Sequence, residues 1–354
     1  MKVLLLGGTG VMGISLSQLL AQNNIDTVVT SRSSHKSVGK ITYVKGNAME
    51  LEFSKQICSS CEWDAIVDFM SYKTVEFRER IDYLLNSTKQ YVYISSARVY
   101  GNLEHPIKES SPRLLDCSED EEFLHTDEYS LTKARQEDLL RKSNKKNYTI
   151  VRPCITYGDR RLQLGVMEKE EWLFRALNGR TIVFCKEIME SVTTMTTGAD
   201  ICMAIYKIIG NPKAIGEVYH LTSAHHRKWS EIWEIYKKAI ASITGSEPKI
   251  YIASLDEFLL CRNKGLKYQV IYDRVYNRDY NTEKESTLVD VNKFTPPEDG
   301  LTICIRNFLI NPSFKYINGI YEARKDKLTH EHTPLRDFSG FRNKVNYLIE
   351  RYLK

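Results

Sequence analysis

The 354-residue chain has no long apolar run. Val3-Leu4-Leu5-Leu6 is apolar but stops at Gly7-Gly8. A signal peptide needs a longer apolar stretch, and a membrane-spanning helix needs roughly 20 apolar residues. No membrane partner is therefore expected, and the chain reads as cytoplasmic. It also lacks a polybasic block. Lys and Arg number 50 against 45 Asp and Glu, for a net charge of +5. That near balance implies no nucleic-acid partner, although a mild positive excess suits an anionic small substrate. The eight cysteines are scattered and sit mostly in apolar runs such as Ile201-Cys202-Met203, which predicts reduced, buried thiols. Cys58 and Cys61 form a CxxC without a second pair to complete a zinc site. His225-His226 and His330-Glu331-His332 have no further ligands at useful spacing, so no metal is expected. Internal repeats and low-complexity tracts are absent.

What is present is a hydrophobic content of 42%, enough for a sizeable core. Short apolar runs alternate with helical patterns over the first 150 or so residues. The predicted strands are Lys2–Leu6, Thr27–Thr30, Ile41–Val44, Ala65–Asp68, Tyr91–Ser95 and Thr149–Arg152. Met12–Ala21, Val75–Leu85 and Ser130–Arg141 are predicted helices between them. Strands alternating with helices of this length imply βαβ units and a parallel sheet covered on both faces. Farther on, Gly198–Ile209 and Lys228–Ile243 look helical around a strand at Glu217–Leu221. Beyond residue 250 the pattern loosens. Asn263–Lys293 is rich in Tyr, Arg, Asp and Asn, and Leu301–Leu309 and Phe341–Tyr352 read as closing helices. The acidic run Asp116–Glu122 reads as a solvated loop. The expected fold class is α/β: a doubly wound parallel sheet of the NAD(P)-binding Rossmann type with a smaller C-terminal α/β substrate lobe. Residues 1–155 would form the nucleotide-binding domain, with about 190–222 returning to it. Residues 156–190 and 223–354 would form the lobe.

The first strand runs into Gly7-Gly8-Thr9-Gly10-Val11-Met12-Gly13 and then a helical stretch. Glycines at 7, 10 and 13 permit a tight strand-to-helix turn. They also let backbone N–H groups and the helix N-terminus approach a pyrophosphate with no Cβ in the way. Thr9, Val11 and Met12 fall inside that turn and join the expected cofactor-binding set. About 20 residues on, an NAD-selective site places a carboxylate for the ribose 2′-OH. This chain has Thr30-Ser31-Arg32-Ser33-Ser34 there instead. Arg32 can pair with a 2′-phosphate and Ser31 can donate to it, which favours NADP over NAD. Arg32 stacked on adenine or lying in solvent is the alternative.

Tyr129-Ser130-Leu131-Thr132-Lys133 is a YxxxK. On a helix, positions i and i+4 share a face, so a phenol and an ammonium can meet. The ammonium favours phenolate, which makes Tyr129 a candidate acid/base. Ser96 follows the predicted strand Tyr91–Ser95, and a hydroxyl at the carboxyl end of a parallel strand points into the ligand crevice.

The ordered set GGTGVMG, SSARVYG, YSLTK and Val151-Arg152-Pro153-Cys154-Ile155-Thr156-Tyr157-Gly158 resembles the extended short-chain dehydrogenase/reductase family. Within that family it is most similar to the NAD-dependent epimerase/dehydratase group, which acts on sugar nucleotides. The resemblance covers roughly residues 1–245. It implies Tyr129 as acid/base, Lys133 as holder of the nicotinamide ribose, and Ser96 as the third member, on the reacting oxygen. It also implies that Asn47 and Ala48 lie near adenine, that Phe69 and Met70 line the cofactor, and that the backbone at Cys154 faces the carboxamide. Family members dimerise through helices corresponding to Val75–Leu85 and Ser130–Arg141. Ile81, Leu84, Leu85, Leu139 and Leu140 would then either build a homodimer face or pack on the sheet.

Two departures narrow the chemistry. Ala97-Arg98 stands where dehydratases of the family carry an Asp-Glu pair, so elimination is not expected. Ile155 stands where the family often has a substrate-contacting Asn, which marks a divergent lobe. The implied activity is hydride transfer to or from C4 of a nucleotide-linked sugar, as an epimerase or as a ketoreductase, using NADP by preference or NAD. Candidate substrate residues are Arg98 and the possible diphosphate clamps Arg160, Arg161, Arg274 and Arg278. The competing readings are an NADPH reductase of a small non-sugar ketone and a non-catalytic cofactor sensor or RNA-associated scaffold.

Overall fold

The first unit rests on strands that alternate which face they bury. In the computed structural model, which describes residues 1–354, these are β1 (Lys2–Leu6), β2 (Asp26–Ser31), β3 (Ile41–Lys45), β4 (Trp63–Asp68), β5 (Thr88–Ile94) and β6 (Tyr148–Pro153). With the strand Val218–Leu221 they form one seven-stranded sheet. Its order is Val218–Leu221, β6, β5, β4, β1, β2, β3, and every pairing is parallel. Val3 and Leu5 point to one face, against Leu16 and Leu20 of the helix Val11–Gln22 and against Ile201, Ile205 and Ile208 of the helix Gly198–Ile208. Leu4 and Leu6 point to the other face, against Phe77, Ile81, Leu84 and Leu140. Each such side chain, when fully buried, contributes about 1.5–3 kcal/mol relative to exposure. Helices on both faces and no antiparallel member make this a doubly wound Rossmann sheet.

Residues Met1–Thr156, Thr194–Ala224 and Tyr280–Thr295 form this compact unit. The last segment departs from the sequence expectation, which left all of 223–354 in the lobe. Its side chains explain the return. The Tyr280 ring lies 5.2 Å from that of His220, and the Asn281 N–H donates to the Ile107 carbonyl at 2.8 Å. Val291 and Phe294 join the core above the sheet.

Two local expectations are also corrected. Val75–Leu85 is not one helix but two, Thr74–Arg78 and Ile81–Asn86. The guanidinium of Arg80 takes the carbonyl of Glu76 at 2.7 Å and that of Met49 at 2.6 Å, while its N–H drops back to Phe77. The i→i−4 ladder is interrupted there. The acidic run is not a plain loop. It holds parts of two short turns, Leu114–Cys117 and Glu121–Leu124. Asp116 is bonded to Arg113 at 2.8 Å, and Asp120 caps the second turn through the Phe123 N–H. Ile81, Leu84, Leu85 and Leu140 are buried against the sheet, with Leu139 packed against them, so these residues contribute to the core.

The second unit comprises Tyr157–Thr193, His225–Asp279 and Pro296–Lys354. It contains a two-stranded parallel sheet, Ile182–Cys185 with Ile250–Ala253, and the helices Trp229–Thr244, Pro297–Ile310, Gly319–Thr329 and Phe341–Tyr352. Trp172 and Tyr236 pack ring to ring at 4.6 Å within it.

Candidate functional site

The turn after β1 is shaped by three glycines that do different work. Gly7 has φ +69°, and a Cβ there would lie 2.4 Å from the Met70 sulfur. Only glycine adopts that conformation without strain. Its N–H donates to Thr30 Oγ1 at 2.9 Å, which ties the turn to β2. At Gly13 a Cβ would sit 2.5 Å from the Gly8 backbone, so this glycine lets helix and turn touch. At Gly10, the N-cap of the helix, a Cβ would meet no atom of the protein within 4 Å. Gly10 is thus dispensable for packing and leaves the helix N-terminus open.

Beside this turn lies a cleft of about 390 Å³. Of the expected cofactor-binding residues, Gly7, Thr9, Ser31, Arg32, Asn47, Ala48 and Met70 line it. Arg32 is exposed, while Ser31 is buried and its hydroxyl accepts from the Ser33 N–H. The Asn47 side chain accepts from the Met49 N–H at 3.2 Å. Met12 and Phe69 instead pack against the core, and Val11 is exposed. Cys154 lies at the end of β6 with its sulfur 3.1 Å from Thr196 Oγ1, and burial pushes its thiol up to about 11.

The other cluster stands where β5 ends. Tyr129 opens the helix Tyr129–Lys142, with Glu128 as its cap and its own ring 39% exposed. One turn on, Lys133 is buried. Its Nζ donates to the Ile94 carbonyl at 2.8 Å and lies 5.8 Å from the centre of the Tyr129 ring. Burial pushes the Lys133 ammonium down to about 8, against the opposing pull of the Asp68 and Glu137 carboxylates. Ser96 caps the short turn Ala97–Val99, and its hydroxyl accepts from the Arg98 N–H at 3.2 Å. The Arg98 guanidinium bonds the Glu128 carboxylate and lies 5.1 Å from the centre of the Tyr129 ring. Arg98 is therefore attached to the Tyr129 cap, not free for a ligand.

Sequence reasoning missed the supports below this cluster. Glu137 is fully buried and accepts from Ser95 Oγ at 2.6 Å and from both Nε and Nη2 of Arg152, at 2.8 and 2.6 Å. Burial alone would raise its carboxyl, but the Arg152 guanidinium holds it below the usual carboxylate range. Three elements are joined by this one carboxylate: the end of β5, the helix of Tyr129, and β6. Asp68 plays a parallel part at the end of β4. It accepts from the Met70 N–H at 2.9 Å and from the Tyr91 hydroxyl at 2.8 Å, with its carboxyl raised by burial. A helical stripe Tyr129, Lys133, Glu137 was visible as i, i+4, i+8 spacing and is the signal that points to Glu137.

In the second unit, Arg160 and Arg161 are exposed in a turn closed by the Arg161 N–H on the Gly158 carbonyl at 2.8 Å. Arg274 and Arg278 are not exposed cations. Both are buried around Asp273, with Arg278 Nε 3.0 Å from Asp273 Oδ1 and Arg274 Nε donating to the Gly165 carbonyl at 3.0 Å.

Comparison with known proteins adds to this geometry. The chain is 26% identical over 286 residues to the chloroplast stem-loop binding protein of 41 kDa b of Arabidopsis thaliana, covering 76% of this chain and 70% of that protein. It superposes on the Bordetella bronchiseptica enzyme WbmH in complex with NAD+ with a TM-score of 0.66 at 17% identity, over 88% of this chain and 99% of that one. On the UDP-glucuronic acid 4-epimerase of Bacillus cereus, in complex with UDP-glucuronic acid and NAD, the TM-score is 0.63 at 15% identity, over 87% and 100% of the chains. At such identities the superpositions establish the fold. The sequence match to the model of one family runs over residues 3–222, from β1 through the glycine turn, Tyr129 and Lys133 to the strand Val218–Leu221. The chain therefore belongs to the NAD dependent epimerase/dehydratase family.

Proposed function

We propose that this chain is an NAD(P)-dependent epimerase or ketoreductase that oxidises or reduces C4 of a nucleotide-linked sugar. The observation that carries this reading is the pairing of a buried Lys133 with a part-exposed Tyr129 at the carboxyl end of β5. The same unit holds a cleft next to the glycine turn, which leaves room at Gly10. The cleft suits the adenosine end of a dinucleotide: the helix N-terminus beside it, open at Gly10, suits a pyrophosphate, and Asn47 and Ala48 border space for a base. Gly7, Thr9, Gly10 and Gly13 would hold the pyrophosphate, Lys133 the nicotinamide ribose, and Cys154 the carboxamide edge. When bound, the nicotinamide accepts and returns the hydride.

The protein's own part is proton transfer and orientation. Tyr129 takes the proton of the sugar hydroxyl, or returns it to the keto oxygen. Lys133 places a cation beside the Tyr129 ring, where it would favour the phenolate in the reaction. Ser96 holds the same oxygen. Ala97-Arg98 supplies no acid/base pair, so elimination does not follow. Arg160 and Arg161 are proposed for a diphosphate on their charge and exposure alone, whereas Arg98, Arg274 and Arg278 bond carboxylates.

Arg32 at the mouth of the cleft favours NADP, whereas the solved relatives described above hold NAD. Calorimetric titration with NADP(H) and NAD(H) decides between them. NADP(H) is expected to bind at least about tenfold tighter, and Arg32→Asp to erase the difference. Tighter NAD(H) binding overturns the preference and moves a self-regenerating epimerase ahead. Tyr129→Phe is expected to lower turnover of a UDP-sugar by about 10²- to 10⁴-fold. Full biological activity in that variant would favour a non-catalytic scaffold. One observation supports that second reading, the stem-loop binding named for the Arabidopsis relative. The intact Tyr129 and Lys133 speak against it.

A further inference from the structure

The helix Phe341–Tyr352 is turned inside out with respect to polarity. Its inward side carries Asn343, Tyr347 and Glu350, all buried and all polar-bonded. Asn343 donates to the Ile317 carbonyl at 2.8 Å and accepts from the Gly319 N–H at 2.8 Å. The Tyr347 hydroxyl donates to Asp326 at 2.8 Å, and Glu350 accepts from Arg324 Nε at 2.8 Å. These bonds fix the helix on the second unit and dictate which side faces out. The outward side is apolar. Phe341 is 81% exposed, Tyr352 60%, and Leu353, just past the helix end, 80%, with Leu348 and Ile349 also exposed. With Val345 they recur at i, i+4, i+7, i+8, i+11 and i+12, a single stripe along the whole helix.

The charges around that stripe have one sign. Arg342, Lys344 and Arg351 are basic, and the helix's one acid, Glu350, is buried on the far side, paired with Arg324 and with Lys354 just past the helix end. An apolar stripe whose flanking charges on the helix are all cations is the pattern of a helix that lies in a lipid interface. A second copy of the chain fits poorly. An antiparallel pairing through the stripe would set Lys344 of one copy against Arg351 of the other, and like charges at such flanks repel. A three-turn helix about 18 Å long and about 10 Å wide also offers far less than the roughly 800 Å² per partner of a stable dimer.

We propose that the outer face of the helix Phe341–Tyr352 docks this protein on the surface of an anionic lipid bilayer, with the helix lying in the plane of the headgroups. This differs from spanning, for which no helix is long and apolar enough. The sequence expectation of no membrane partner rested on spanning segments alone.

Sedimentation of the full chain with lipid vesicles tests the proposal. Wild-type protein should pellet with phosphatidylcholine vesicles containing about one quarter phosphatidylglycerol and stay in the supernatant with phosphatidylcholine alone. Phe341→Ser with Leu353→Ser should weaken binding roughly tenfold or more, because two exposed anchors are removed. Arg342→Glu with Lys344→Glu should weaken it comparably, and raised salt should do the same to the wild type. None of these four positions belongs to the buried side, and circular dichroism checks that the fold is kept. The proposal is overturned if wild type ignores anionic vesicles, binds both vesicle types equally, or binds unchanged in either variant. A concentration-dependent dimer in light scattering, lost in the serine pair and without vesicle binding, would assign the face to a second copy instead.

Discussion

Two buried arginines, one in each unit, show how the same physics serves different ends. Arg152 and Arg175 are 1% and 0% exposed. Arg152 meets one carboxylate, Glu137, on the helix that begins at Tyr129. Arg175 meets three, donating to Glu322 at 2.7 Å, Asp326 at 2.8 Å and Glu331 at 2.9 Å. Desolvating such charges is expensive, and their mutual attraction mainly offsets that cost without adding a surplus. Neither cluster is therefore evidence of chemistry by its burial alone. What separates them is position. The Arg152 cluster lies at the carboxyl ends of parallel strands, directly below Ser95 and one turn from Lys133. The Arg175 cluster ties together segments 147 to 156 residues apart in sequence within the second unit.

That contrast can be broken by removing each cation. Arg175→Met leaves Asp326 buried without its cation and Glu322 with Lys325 alone, and is expected to lower stability by about 3–5 kcal/mol, with dinucleotide affinity of the folded protein unchanged. Arg152→Met is expected to lose a similar amount and, in addition, to weaken dinucleotide binding, because Glu137 on the Lys133 helix is no longer tied to β6. Urea unfolding combined with calorimetry on the folded fraction measures both. Equal binding in the two variants would erase the distinction.

A smaller effect sharpens it through pH. Lys133 titrates near 8 in the folded chain and near 10.4 in the unfolded one. Below pH 8 both states hold the proton, and the cost of burying the charge is fully present. As pH rises from about 8 to about 10.4, the folded state gives up its proton first, so the unfolded state binds more protons and stability rises. Wild type should therefore gain on Lys133→Met by up to about 3 kcal/mol across that window. Chemical denaturation of both proteins at stepped pH would show it. A difference that stays flat or falls contradicts a buried, depressed Lys133.

The smallest expected change separates packing from binding within the glycine turn. Gly13→Ala must push Gly8 backbone aside and should cost about 1–3 kcal/mol. Gly10→Ala meets no protein atom, so its stability should stay within about 0.5 kcal/mol of wild type. The added methyl would stand where the pyrophosphate is proposed, and affinity for NADP(H) should fall. Unchanged affinity in Gly10→Ala would remove the pyrophosphate from that turn.

The sequence by itself determined the parallel sheet and most of the proposed site. Both depend on local pattern: apolar alternation in β1 to β6, glycines that follow a strand, and Tyr129 and Lys133 one helical turn apart. Such features are set by neighbours within a few residues, where spacing translates directly into direction. The tertiary structure alone decided the rest. The helix Gly319–Thr329 gave no apolar signal because its buried face is Glu322, Ala323, Lys325 and Asp326, turned toward Arg175. Arg274 and Arg278 read as possible diphosphate clamps, but both are buried around Asp273. Phe341–Tyr352 reads equally well as a helix with its apolar side in or out. Which side is covered was settled by Asn343, Tyr347 and Glu350 finding partners far along the chain. Charge pairing across such distances has no period, and so only folding reveals which cations are already matched.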